Sequence, residues 1–147
     1  MPSATRLVAA LAFAMIAFFG AELYKTALGA QYNFGAFSAL CALIGVICGW
    51  TVCGPAGGRG WIACVIAGLR TSFTIVVFGL VFFSVYEMLT RAWHGRYSSI
   101  TGALESVFGL FVQFAKALVA PEPLIVLILG GLLGGLLVEW TYRQAHK

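Results

Sequence analysis

Four long apolar segments take up most of this 147-residue chain. They cover about residues 7–28, 34–53, 62–89 and 124–142. Each reaches the roughly 20 residues that an α-helix needs to cross a hydrocarbon core of about 30 Å. Because a soluble domain of this size would expose much of that surface to water, the pattern predicts an all-α membrane protein with four transmembrane helices.

The composition agrees with this class, since 61% of the residues are hydrophobic and only 10% are charged. No polar stretch is long enough for a soluble catalytic domain, so we expect one membrane domain over residues 1–147. The formal charge is +4, but the cations stand singly near segment ends. That distribution is typical of membrane anchoring in lipid and indicates no nucleic-acid-binding surface.

The first segment has the outline of a signal peptide, since Arg6 precedes a short apolar run. Cleavage after Ala21 or Ala30 would require small residues where Phe19 and Leu28 stand. We therefore expect an uncleaved first span, and the position of Arg6 favours cytoplasmic termini.

Residues 98–120 differ from the four spans, because polar residues recur there every three or four positions. The polar positions are Gly102, Glu105, Gly109, Gln113 and Lys116. This spacing predicts an amphipathic helix in the membrane interface. A fifth span with its polar stripe turned inward is the alternative, and it would have to bury two charges. Pro121 and Pro123 are expected to end this segment and lead into the last span.

The third segment is longer than one crossing requires, since the helix over residues 61–89 would rise about 43 Å. It must tilt, kink near Gly68, or begin outside the lipid, and Arg70 would then mark the membrane boundary. Residues 54–60 contain four glycines and a proline, which predict a hairpin, and residues 29–33 predict a tight turn.

Small residues four apart predict close helix contacts in lipid. They are Gly45 and Gly49 in the second span and Gly130, Gly131, Gly134 and Gly135 in the last. These glycines join helices either within one molecule, which we expect, or between this chain and another copy or another membrane protein.

Three glutamates are each followed three or four residues later by a cation. The pairs are Glu22 with Lys25, Glu87 with Arg91, and Glu139 with Arg143. Each pair stands at the exit end of a span, which indicates an interfacial ion pair whose long cation reaches water. Since the first and third spans run the same way, the first two pairs share one membrane side and are also candidates for a polar pocket.

Arg70 is the remaining candidate polar residue. Together with Arg59 and nearby hydroxyl groups it could offer hydrogen-bond donors to an oxyanion. The simpler hypothesis is an arginine that extends to the interface above the hairpin. No P-loop sequence is present.

The sequence predicts no catalytic, cofactor-binding or metal-binding residues. Its four cysteines contain no C-x-x-C motif and are expected to be small apolar residues. Bis-histidine haem is not expected, because His94 lies in a loop and His146 is the penultimate residue. The chain has no Asp, so a Ser-His-Asp triad is excluded, and we expect a non-enzymatic protein.

Five stretches of the chain together resemble one family. They read VAALAFAMIAFFGAELYK, NFGAFSALCALIGVICGW, GPAGGRGW, FFSVYEML and GGLLGGLLVEW. In order and spacing they resemble the TrgA-type, tellurite-resistance-associated membrane proteins of alphaproteobacteria. The coinciding positions are Glu22, Lys25, Gly49, Trp50, residues 54–60, Tyr86, Glu87, Glu139 and Trp140. The cysteines are not part of this pattern.

The resemblance implies a multi-pass protein of the bacterial inner membrane that is linked to tellurite resistance, with no established catalytic residues to carry over. Two functional hypotheses follow. The first is an accessory or assembly component that acts by association with other membrane proteins or with itself. The second is an oligomeric transporter or channel for a small oxyanion, suggested by Lys25, Arg59, Arg70 and Arg91.

Overall fold

The computed structural model describes residues 2–29, 35–95, 98–119 and 121–147. This part of the chain forms α1 (Pro2–Leu28), α2 (Phe37–Cys48), α3 (Trp61–Trp93), α4 (Ile100–Leu118) and α5 (Pro121–Ala145). A π-helix (Gly49–Cys53) and a 3-10 turn (Gly54–Ala56) extend α2 toward α3. The described chain is helical, as the sequence predicts.

Four helices are long and apolar enough to cross a membrane. They are α1, α2 with its extension to Ala56, α3 and α5, and α4 is not among them. The predicted all-α class with four membrane-crossing helices is therefore confirmed at this level. The predicted turn at residues 29–33 lies outside the described residues beyond Gly29.

Several helix boundaries differ from the prediction, including the start of α1 at Pro2 and not near residue 7. The last helix begins at Pro121 and not near residue 124, because proline fits the first turn of a helix, where the missing N–H has no acceptor. The third helix continues to Trp93, past the predicted end at residue 89. At 33 residues it is about 50 Å long, so it exceeds the hydrocarbon thickness.

Helix α1 packs between α2 and α5, α5 packs in turn on α3, and α3 also contacts α2 and its π-helical extension. Phe13 is fully buried and lies against Gly45 of α2 and Gly134 of α5. The core contains Ala9, Phe13, Ala17 and Ala21 of α1, with Cys41, Ile44, Cys48, Cys53, Ile75 and Val138 from the surrounding elements. Small side chains on α1 thus admit two neighbours at close range.

Glycine sets how closely these helices approach. A Cβ on Gly45 would lie 2.5 Å from the Phe13 carbonyl oxygen, and one on Gly49 would lie 2.6 Å from that of Ala9. A Cβ on Gly68 would collide with the Gly131 carbonyl group of α5. In each case the obstacle is backbone, which cannot rotate away as a side chain can.

We expect Gly68→Ala to destabilise the bundle, because the added methyl group forces α3 and α5 apart. Overpacking of this kind costs about 1–3 kcal/mol. Thermal unfolding in mild detergent, followed by circular dichroism, measures the effect. The matched control is Gly109→Ala on α4, where a Cβ would meet nothing within 4 Å; equal melting temperatures for the two variants would contradict the packing argument.

Helix α4 rests on α3 and α1 through one face. Leu110 and Phe114 are buried in a cluster with Tyr24, Leu80 and Phe83. The Tyr24 hydroxyl donates a 2.9 Å hydrogen bond to the Phe114 carbonyl oxygen, and the Phe83 and Phe114 ring centroids are 4.6 Å apart. These contacts fix α4 beside the C-terminal halves of its two neighbours.

The rest of α4 divides into an apolar and a polar surface. Ile100, Leu104, Phe108 and Val112 are exposed along one side at four-residue spacing. Glu105, Gly109 and Lys116 are exposed on the adjacent side. A helix with one face on the bundle, one apolar face and one polar face suits the predicted interfacial position, which stays a prediction.

Cysteine labelling tests that position, since the four native thiols are buried. If α4 lies in the interface, Glu105→Cys and Lys116→Cys in native membranes should both react with a water-soluble maleimide, whereas Phe108→Cys should react only after detergent is added. A spanning helix would give a different result. Its positions 105 and 116 would be about 16 Å apart in depth, so their reactivities would differ strongly.

Candidate functional sites at the two ends of the bundle

All three predicted glutamate–cation pairs form ion pairs. The nitrogen-to-oxygen distances are 3.0 Å for Lys25 and Glu22, 3.2 Å for Arg91 and Glu87, and 3.0 Å for Arg143 and Glu139. Each pair lies near the C-terminal end of its helix, in α1, α3 and α5 respectively. Because α5 runs opposite to α1, the third pair is at the other end of the bundle.

The candidate polar residues do not all lie at one end of the bundle. The Glu22 carboxylate accepts hydrogen bonds from Lys25 and from Ser38 of α2, whereas Glu87 and Arg91 pair within α3. Arg70 precedes Arg91 by 21 positions on the same helix, which is about 32 Å. Arg70 is therefore far from the Glu87 pair and belongs to the opposite end.

That opposite end, which we call the hairpin end, contains residues 54–60 and one end each of α1, α2 with its extension, α3 and α5. A Cβ on Gly54 would touch Arg6, and one on Gly57 would touch Thr5 and the ring of Tyr142. Gly58 and Gly60 have φ of +86° and +101°, a backbone region that glycine adopts without strain. Glycine thus lets the hairpin turn tightly against both chain-terminal helices.

Glu139 connects this hairpin to α5. Its side chain is only 3% exposed, and it accepts hydrogen bonds from the Gly58 amide at 3.0 Å and from the Cys64 thiol at 3.3 Å. Arg143 pairs with its other oxygen and also lies 5.0 Å from the centre of the Trp61 ring. Glu139 is therefore a buried junction of hairpin, α3 and α5.

Sequence reasoning missed this role and placed Glu139 in a simple interfacial ion pair. The available signal was its spacing. Gly131, Gly135 and Glu139 are four residues apart, so they share a helix face, and a Cβ on either glycine would meet α3. A carboxylate that continues a helix-packing face is expected to be buried with a specific partner.

Arg59 and Arg70 line one groove on the outside of this end. Its volume is about 320 Å³, and it is also lined by Val52, Pro55, Ala56, Ala63, Ile66 and Ala67. Both arginines are exposed, and neither takes part in the ion pairs found among the described residues. We call this the arginine groove.

A second groove runs between α1 and α5 on another side of the bundle. Its volume is about 630 Å³. It is lined by Ala12, Met15, Ile16, Phe19, Glu22, Leu23, Val126, Leu129, Gly130, Leu133, Gly134 and Leu137. Only Glu22, at one end, interrupts this apolar lining, so the α1–α5 groove is an almost continuous hydrocarbon surface.

Within the described residues, no three His, Cys, Asp or Glu side chains are grouped to hold a metal ion. The four cysteines are free and buried. The Cys64 thiol is within hydrogen-bonding distance of the Ala56 carbonyl oxygen and of Glu139. At the hairpin end, these hydrogen bonds and the ion pair of Glu139 hold the hairpin against α3 and α5.

No family model, curated protein or solved structure significantly matches the chain.

We expect Glu139→Ala to loosen the hairpin, since a hydrogen bond to a charged group contributes about 1.5–3 kcal/mol. The melting temperature in detergent should fall. Cys64 is fully buried in the wild type, so in the variant its thiol should react faster with maleimide. Peptide mass spectrometry can identify the labelled cysteine. Glu139→Gln should show a smaller effect, because its amide oxygen can still accept from Gly58. Glu105→Ala, at an exposed position on α4, is the control and should match wild type.

Proposed function

We propose that this chain is a small, non-enzymatic, multi-pass protein of the bacterial inner membrane that acts as an accessory or assembly component of a membrane complex. The α1–α5 groove carries the proposal. It is a long apolar depression on the outside of a bundle whose four apolar helices are suited to cross the membrane. Such a surface fits a neighbouring helix.

The glycines that could have formed a docking surface are already used in packing within the molecule. Gly45 and Gly49 pack on α1, and Gly131 and Gly135 pack on α3, so these four contacts are used inside one molecule. Gly130 and Gly134 also touch α1 but line the groove as well. Since both are buried against Ile16 and Phe13 of α1, all six glycines serve packing within one molecule, and the docking proposal rests on the apolar groove itself.

The occupant we propose is an apolar transmembrane helix of another membrane protein. The groove follows α1 from Ala12 to Leu23, about 16 Å of helix, which corresponds to three turns of a partner. At one end Glu22 offers a carboxylate that is half exposed, at 46%. A donor side chain on the partner could pair with it, which would set the depth of docking.

Transport of a small oxyanion, the other hypothesis from the sequence, gains less support. Lys25 and Arg91 are engaged by glutamates, while Arg59 and Arg70 line a groove on the outside of the hairpin end. The four cations thus do not line a common path. We therefore favour association over transport.

The link to tellurite is part of the proposal and rests on the resemblance to TrgA-type proteins alone. If the protein supports a membrane complex, its loss should lower tolerance to this oxyanion as a consequence of the damaged complex. Purified protein would then neither reduce nor bind tellurite.

Site-specific photo-crosslinking in native membranes tests the docking. A photoreactive residue at Leu133, which is 59% exposed in the groove, is compared with one at Leu43, which is 58% exposed on α2. We expect position 133 to give one crosslinked protein in stoichiometric yield and position 43 to give none. Leu129→Trp, which fills the groove from its exposed wall, should reduce that crosslink by about tenfold.

Other crosslinking results would reject the proposal. Crosslinks from position 133 to lipid alone would identify the groove as ordinary bilayer-facing surface. Crosslinks to a second copy of this chain would replace the accessory role by self-association.

A further inference from the structure

The arginine groove places two exposed positive charges on the outside of the bundle, and neither belongs to an ion pair within the described part of the chain. The ion pairs among the described residues engage Lys25, Arg91 and Arg143. Arg59 and Arg70 both line one groove, and its other lining side chains are apolar. Two guanidinium groups in such surroundings repel one another unless an anion lies between them.

The position of Arg70 along α3 is a second reason to expect a bound anion. Trp50, Trp61 and Trp140 are all exposed at the hairpin end, and exposed tryptophans mark the level of the membrane interface. Arg70 follows Trp61 by nine positions on α3, about 14 Å further along the helix axis. A charge at that depth is costly unless it reaches the interface or is paired.

Arg70 lines the groove together with Pro55 and Arg59, which belong to the hairpin itself. Helical side chains generally tilt toward the helix N-terminus, and the hairpin lies at that end of α3. Such a tilt would bring the guanidinium group from the hydrocarbon region toward the headgroup level, where we place Arg59.

We propose that the arginine groove binds the phosphate of an anionic phospholipid. The planar guanidinium groups of Arg59 and Arg70 hold the phosphate oxygens through paired N–H donors. The acyl chains lie on the apolar wall, where Ile66 is 60% exposed. This site is on a different side of the molecule from the α1–α5 groove and does not depend on the proposed docking.

A lipid suits this groove better than a free oxyanion. A free anion would lose its water against walls formed by Val52, Ala63 and Ile66, which offer no hydrogen bonds from their side chains. A phospholipid brings the same phosphate at the depth that Arg70 can reach, and its chains cover the walls. The geometry thus selects the source of the phosphate as well as its charge.

Native mass spectrometry of the full chain in mild detergent tests the site. Dioleoyl phosphatidylglycerol is titrated against dioleoyl phosphatidylcholine, which has the same chains. We expect wild type to retain phosphatidylglycerol about tenfold more strongly. Arg59→Gln and Arg70→Gln should each weaken retention about fivefold, and Arg70→Lys should fall between, because lysine keeps the charge but not the paired donors.

The matched control is Lys147→Gln, which removes one positive charge at the same end of the molecule, beyond α5, and should leave retention unchanged. Arg59 and Arg70 are exposed, so their variants are expected to fold, and circular dichroism checks this. Equal retention of both lipids by wild type, or unchanged retention in Arg70→Gln, would overturn the proposal. Displacement of phosphatidylglycerol by millimolar inorganic phosphate would also overturn it and identify a free-oxyanion site.

Discussion

Helices in lipid gain little from burying apolar side chains against each other, because the acyl chains are equally apolar. Stability then depends on close contact between backbones, and in this protein glycine provides that contact. Gly45 and Gly49 bring α2 onto α1, and Gly68 meets Gly131 between α3 and α5. The closest helix contacts, α2 on α1 and α3 on α5, therefore occur where these small residues lie.

The polar groups are arranged at the ends of this tightly packed bundle. At the hairpin end, Glu139 accepts hydrogen bonds from a loop amide, a thiol and an arginine. A single carboxylate thus stabilises the turn between α2 and α3. At the other end, Glu22 joins α1 to α2 through Ser38. Each carboxylate therefore has a structural role that a simple ion pair along one helix would not have.

The exposed surfaces of the bundle differ in chemistry, so each suits a different kind of partner. The α1–α5 groove is apolar along its length and suits a helix. The arginine groove carries two cations at the hairpin end and suits a phosphate group. Helix α4 adds an apolar and a polar face beside the aromatic cluster around Phe114. A protein of 147 residues thus offers three distinct surfaces to its membrane surroundings.

The sequence alone determined the fold class, because segment length and hydrophobicity are set by the thickness of the bilayer. It also located the three ion pairs, since spacings of three and four place side chains on one helix face. These are local properties, which do not depend on how the helices pack against one another.

Only the tertiary structure decided which partners each residue meets. The spacing of Gly131 and Gly135 predicts a contact but cannot tell whether α3, another copy or another protein supplies the opposing backbone. Arg59 and Arg70 line one groove together with Val52, which precedes the hairpin, so the groove exists only once the hairpin has formed. Glu139 and Gly58 are 81 residues apart, so their hydrogen bond depends on the packing of the whole bundle.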